Sequence, residues 1–178
     1  DSVSSLDIGT NSSVVVVGNS NTLSSVTAPS CQIGVVRVGG LPMTISGAAS
    51  LKIDGNNHRL DSVTASTGPL SVTGLTQTAT TTVTSGGSVQ VTGNGVGMGS
   101  VTTGAFLALT PIDSLGLNVG DATVTASRNA YSVSIVTAAS LALAYLRATD
   151  INASSGASVI VEGNSFTRSH LTGSVAPP

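Results

Sequence analysis

Apolar residues two positions apart recur along the chain, as in Leu51 and Ile53 or Val159 and Val161. This alternation points every second side chain to one face and predicts short, half-buried strands. No segment shows convincing helical spacing over the length of a crossover helix. The Ala- and Leu-rich segment Ala138–Asp150 is the one helix-like candidate, but its Leu141, Leu143 and Tyr145 also alternate at period two, so we favour a strand there.

One frame of fifteen residues occurs five times without a gap, as in "SLKIDGNNHRLDSVT" and "SVIVEGNSFTRSHLT". Copies that recur every roughly 20 to 50 residues are typical of solenoids. Four copies place Gly-Asn after the first strand, and these two residues readily adopt the left-handed conformation of a tight corner. The copies begin at Ser13, Ser50, Ser88, Thr123 and Ser158, so the steps are 37, 38, 35 and 35 residues. The predicted structural corners are Gly18-Asn19, Gly55-Asn56, Gly93-Asn94 and Gly163-Asn164.

Weaker versions of the same alternation lie between the five copies, beginning at Val36, Leu70, Leu107 and Leu141. Counting these as separate turns predicts an all-β fold, a parallel β-solenoid (β-helix) of about nine coils of roughly 18 residues, two unlike coils alternating. Stacked at about 4.8 Å, nine coils would form a rod roughly 40 Å long. We expect one domain over residues 1–178, with 173–178 as a C-terminal tail because its prolines cannot continue a ladder.

The composition of the chain favours a thin aliphatic core. Of 178 residues only 2% are aromatic and 8% are charged, while 40% are hydrophobic. Disordered segments combine low hydrophobicity with high charge, so disorder is disfavoured. The many Ser and Thr residues are expected on outward-facing positions.

The charge balance excludes some classes of partner. With a net charge of -2 and six Lys and Arg, the chain offers no basic stripe for nucleic acid. No run approaches the roughly 20 apolar residues of a membrane span. Cys31 is alone, so it reads either as a small buried hydrophobe or as a thiol that meets a partner thiol on another chain.

Charged residues concentrate in the second copy of the frame. Lys52 and Asp54 are expected on outward positions, His58 and Arg59 in a variable corner, and Asp61 after an inward leucine. We interpret these five residues as an exposed, ion-paired coil. The alternative is a glycan-cleaving site, for which hydrolysis requires two carboxyl groups roughly 5 to 10 Å apart.

No residue is assigned a catalytic, metal-binding or cofactor-binding role. Glu162 shares the register of Asp54, but coils of roughly 18 residues would separate them by on the order of 30 Å. His58 and His170 are several coils apart in this prediction and have no neighbouring ligands. We therefore expect no enzyme and no cofactor.

Threonines recur at the last position of the frame, as a column on an ice-binding solenoid face would. With the short coil predicted above, this column would appear only on every second coil, with Ala49, Gly120 and Ser154 between. We therefore expect a structural role for the column. Its members are Thr27, Thr64, Thr102, Thr137 and Thr172.

Asn11-Ser-Ser and Asn152-Ala-Ser match the pattern of N-glycosylation acceptors. They hint at a secreted protein, and we expect an extracellular or cell-surface location.

The coil "SVIVEGNSFTRSHLTG" resembles those of right-handed parallel β-helix proteins of the pectin-lyase-like superfamily, in which an apolar-x-apolar strand leads into a Gly-Asn corner. The Ser/Thr/Val/Gly-rich texture is also similar, more weakly, to large trypanosomatid surface repeat proteins. The resemblance implies a β-helix, and a glycan-binding or glycan-cleaving protein is the alternative to a purely structural role.

The repeat itself governs shape in every coil. We therefore expect a non-enzymatic spacer, an adhesin segment or a subunit of a self-assembling fibre. "SLDIGT" (residues 5–10) already reads as half a coil rather than a cap. Because open solenoid ends expose strand edges, we expect end-to-end self-association or continuation in a larger chain.

Overall fold

A computed structural model describes residues 7–8, 10–38 and 42–175 of the chain. The described residues form strands, turns and bends, and no helix. In chain order the strands are β1 (Asp7–Ile8), β2 (Ser13–Val17), β3 (Ser20–Leu23), β4 (Val26–Ala28), β5 (Cys31–Val38), β6 (Met43–Ile45), β7 (Ser50–Asp54), β8 (Asn57–Ala65), β9 (Leu70–Thr84), β10 (Ser88–Thr92), β11 (Gly95–Thr103), β12 (Phe106–Gly120), β13 (Thr123–Ser127), β14 (Ala130–Leu143), β15 (Leu146–Ala153), β16 (Ser158–Glu162) and β17 (Ser165–Val175).

The described strands pair in parallel and build two sheets. The five-stranded sheet runs in the order β16-β13-β10-β7-β2, and each strand is the first five residues of one copy of the repeat frame. The twelve-stranded sheet holds the remaining strands, and its longest members are β9 and β12. The prediction of an all-β parallel solenoid is confirmed.

The predicted coil length is wrong. Strands that lie next to each other in the five-stranded sheet are 35 to 38 residues apart. One coil therefore contains both a strong copy of the frame and the weaker alternation that follows it. The chain makes about four turns, and the five rungs of the frame stack to a height of roughly 20 Å, half of the predicted value.

Two hydrophobic clusters fill each coil instead of one thin column. The first lies between the five-stranded sheet and the parts of β9 and β12 that begin at Leu75 and Ile112. The second lies between β8, β11 and β14 on one side and the preceding parts of β9 and β12 on the other. The coil narrows between the clusters at Gly74. A Cβ there would meet Val91 Cγ1 at 2.6 Å and the Pro111 carbonyl oxygen at 2.8 Å. The coil is also wide enough to bury Tyr131, whose ring stacks on Phe166.

Strands also occupy the segment that was open to a helical interpretation. Residues 138–143 belong to β14 and residues 146–150 to β15, as the period-two alternation predicts, and the strands are interrupted at Ala144 and Tyr145. The last strand, β17, continues to Val175 and so runs into the segment 173–178, for which we predicted a tail. Residues 176–178 lie outside the described part of the chain.

Candidate functional site

Asparagines form a column that crosses the five rungs of the frame, and its three inner members are buried. Each follows a residue with positive φ, between +55° and +65°, at the end of a strand of the five-stranded sheet. Asn56, Asn94 and Asn129 are at most 1% exposed. The asparagine column consists of Asn19, Asn56, Asn94, Asn129 and Asn164.

Each step of the column has the same hydrogen bonds. Asn94 Oδ1 accepts from the backbone N–H of Asn56 at 3.1 Å and from its side-chain amide at 2.8 Å. The side-chain amide of Asn94 in turn donates to Asn129 Oδ1 and to the Ile53 carbonyl oxygen, both at 3.0 Å. Buried amide groups without hydrogen-bond partners are costly. The corner of one rung is therefore stabilised by the stacking of the next rung, and the stacking is stabilised by the corner.

The structure brings together the eight corner residues singled out from the sequence. Gly18, Gly55, Gly93 and Gly163 have positive φ, and backbone hydrogen bonds connect each of these corners to the next rung or to the one before. Sequence reasoning did not count Arg128-Asn129 among the corners, because arginine rarely adopts this conformation. Its position in the repeat frame was the available signal.

The charged residues of the second copy lie on the outside, with one exception. Lys52 Nζ lies 3.0 Å from Asp54 Oδ2, and Arg59 Nε lies 3.0 Å from Asp61 Oδ1, all on substantially exposed side chains. The hydrogen bonds from Lys52 and then Thr92 hold the pKa of the Asp54 carboxyl below its ordinary value. Both aspartates therefore take part in ion pairs of the kind expected for a solvated coil.

His58 is the exception, and the prediction that His58 and Arg59 lie in a corner is wrong. Strand β8 begins at Asn57, and His58 shares the register of Val96, Tyr131 and Phe166. These positions face the interior. His58 Nδ1 lies 3.3 Å from Asn21 Nδ2, while His58 Nε2 is buried with no hydrogen-bond partner among the described residues. Burial lowers the pKa of the imidazole.

The separation expected between the two in-register acids is also wrong. Glu162 and Asp54 occupy the same column three rungs apart, which corresponds to about 14 Å along the axis rather than about 30 Å. Because the coil is twice as long as predicted, the number of rungs between them is halved. The separation still exceeds that of a glycosidase pair.

The threonine column is continuous, and the argument that it appears only on every second coil is wrong. Its five members are paired with one another on successive rungs in β4, β8, β11, β14 and β17. Thr27, Thr102 and Thr137 are exposed. The neighbouring outward column is mixed, since it contains Ser62, Ser100 and the half-exposed Ile135.

The two glycosylation acceptors are exposed in different settings. Asn11 lies in a turn with φ of 57°. Asn152 lies in β15, and its side-chain amide donates to Asn118 Oδ1 at 3.0 Å.

Cys31 is a free, half-buried thiol in the column that also holds Leu70 and Leu107. Burial raises its pKa, so the thiol favours its protonated form. Its contacts are those of a small hydrophobic residue.

Among the described residues, no group of three or more His, Cys, Asp or Glu side chains could hold a metal ion. The same residues contain no helix that could cross a membrane.

No family model matches the chain, and neither a curated protein nor a solved structure shows significant similarity to it.

Proposed function

We propose that this chain is a non-enzymatic structural β-solenoid that acts outside the cell, as a spacer, an adhesin segment or a subunit of a self-assembling fibre. The asparagine column carries the proposal. At the corner that follows each strand of the five-stranded sheet, an asparagine side chain hydrogen-bonds to an adjacent rung. This repeated polar contact therefore maintains the shape of the solenoid. The Gly-Asn corners also support the resemblance to the pectin-lyase-like superfamily, which stays a part of this proposal.

The dimensions favour the fibre subunit among these forms. The five rungs stack to a height of roughly 20 Å. The long strand β12 extends across the coil for up to about 50 Å at the usual rise per residue of a strand. The five rungs by themselves are therefore short along the axis, and a rod requires more rungs than these. Repeated copies along the same axis would make a rod.

A glycan-degradation assay tests the non-enzymatic role. Purified chain is incubated with acidic and neutral polysaccharides, and release of reducing or unsaturated ends is compared with that of the Asp54→Ala/Asp61→Ala variant. We expect no release above background from either protein. Release by the native chain that the double variant loses would show a glycan-cleaving enzyme instead.

Ice binding is a second candidate, favoured by the continuous threonine column. Hydroxyls repeated at about 4.8 Å along a flat face can order water, although the adjacent mixed column offers no second row. If the chain binds ice, it should shape growing ice crystals, and Thr102→Lys should abolish the shaping while Lys52→Thr, on another face, should not. Round, unshaped crystals would exclude this candidate.

A further inference from the structure

The asparagine column has different chemistry at its two ends. Asn19 donates its backbone N–H and its side-chain amide to Asn56 Oδ1, while its own Oδ1 accepts from no described residue. Asn164 Oδ1 accepts from Asn129, but the backbone N–H of Asn164 donates to no described residue. One end thus presents an acceptor and the other a donor, at the same position of the coil.

The edges of the five-stranded sheet are complementary in the same sense. Gly18 N–H donates to the Asp54 carbonyl oxygen, so even-numbered residues of β2 face β7. Because successive residues of a parallel strand face opposite neighbours, Val15 directs its N–H and C=O to the open edge. Ser158 N–H donates to the Ala122 carbonyl oxygen, which leaves Val159 and Val161 facing the opposite open edge.

Apolar side chains of inward-facing columns are partly exposed on the end rungs. Leu23 is 51% exposed at one end, and Val159 and Val161 are 36% and 40% exposed at the other. Inner-rung residues in the same columns, such as Leu60 and Val124, are buried. A further rung in register would cover these side chains.

We propose that a second copy of this chain stacks head to tail on the first, with its β2 added as the next parallel strand beside β16. In this arrangement Asn164 N–H donates to Oδ1 of Asn19 in the second copy, and the asparagine column continues. About two dozen strand residues on each side would meet, within the range of roughly 20–30 residues for a stable interface. The proposal rests on the fibre-subunit form of the proposed function.

Arg168 limits the strength of this association. Its register places it in an inward column with Leu60, Met98 and Val133, and Leu23 of the second copy would lie next to it. An inward charge at a sheet edge disfavours pairing with another chain. The stacking is therefore weak and reversible, and an apolar residue at position 168 strengthens it.

Light scattering coupled to gel filtration, from about 1 μM to about 1 mM protein, tests the stacking. Val15→Pro removes one N–H at the open edge from an exposed side chain and leaves the internal ladder intact. We expect this variant to weaken association by at least about tenfold, as the loss of a hydrogen-bonded contact would. Val15→Thr, which keeps the N–H, is the matched control and should associate within about twofold of the native chain.

Arg168→Leu should tighten association by about tenfold or more, and electron micrographs should show linear stacks. Adding Val15→Pro to this variant should cancel the gain, which nonspecific clumping of the leucine would not do. Circular dichroism establishes that each variant keeps its strand content.

Several results would overturn the proposal. These are a native chain and an Arg168→Leu variant that both stay monomeric at about 1 mM, or association that Val15→Pro does not change. If the chain stays monomeric and releases no sugar, the stacking proposal is wrong but the non-enzymatic structural role still holds. If the chain assembles and also releases sugar, the stacking holds but the non-enzymatic role is wrong.

Discussion

Asn94 Oδ1 lies 2.8 Å from the side-chain amide and 3.1 Å from the backbone nitrogen of Asn56, and accepts a hydrogen bond from each. Both asparagines are buried. The relationship makes the stability of one rung depend on the side chain of the next.

Asn94→Ala should destabilise the fold strongly. It leaves the Asn56 N–H and the Ile53 carbonyl oxygen buried without those partners, and we expect the free energy of unfolding in urea to fall by about 3 kcal/mol. Asn57→Ala, at an exposed position of the adjoining strand, should change it by less than about 0.5 kcal/mol. Equal effects of the two substitutions would argue against the column as a stabilising element.

Arg128→Gly should stabilise the chain. Arg128 has φ of +55° where the equivalent corners have glycine, and a non-glycine residue in the left-handed region costs about 1 kcal/mol. We expect thermal unfolding to shift upward by a few degrees. Thr125→Gly, within β13 of the same coil, should shift it downward, because glycine weakens a strand interior.

Acid should weaken the fold through His58. Its pKa is below the ordinary value of 6.5 because burial disfavours the imidazolium ion. The unfolded chain therefore binds the proton first as the pH falls, so the free energy of unfolding decreases from about pH 6.5 down to the lower folded pKa and then levels off. Urea denaturation at a series of pH values measures this decrease.

His58→Val places the residue of the adjacent rung, Val96, at this position. It should remove the decrease with pH, while His170→Gln at an exposed position should retain it. A decrease of the same size in the His58→Val variant would assign it to other groups.

Arg147→Met should cost about 1 kcal/mol. Arg147 bonds both carboxyl oxygens of Asp113 across neighbouring rungs, at 2.9 and 2.6 Å, and the Asp113 side chain is only 14% exposed. Arg59→Met should cost close to nothing, since Arg59 and Asp61 are both well exposed. Thermal unfolding of the two variants, side by side, measures the difference.

Sequence patterns were least informative where two segments have the same local preference. Strong and weak copies of the alternation both predict strands, so neither shows which strands become neighbours in the sheet. For His58, the corner at Gly55-Asn56 resets the inward and outward alternation. Which side chains of the next strand point inward depends on the face that this strand packs against. The local sequence pattern does not show that face.

By itself the sequence determined the fold class, the strand conformation of most of residues 138–150 and the Gly-Asn corners, because alternation and left-handed corners are local properties of the backbone. Only the tertiary structure decided the coil length, the continuous threonine column, the inward position of His58 and the two-cluster core. These depend on which strands hydrogen-bond to each other across 35 to 38 residues. The paired asparagines establish that register only once the rungs are stacked.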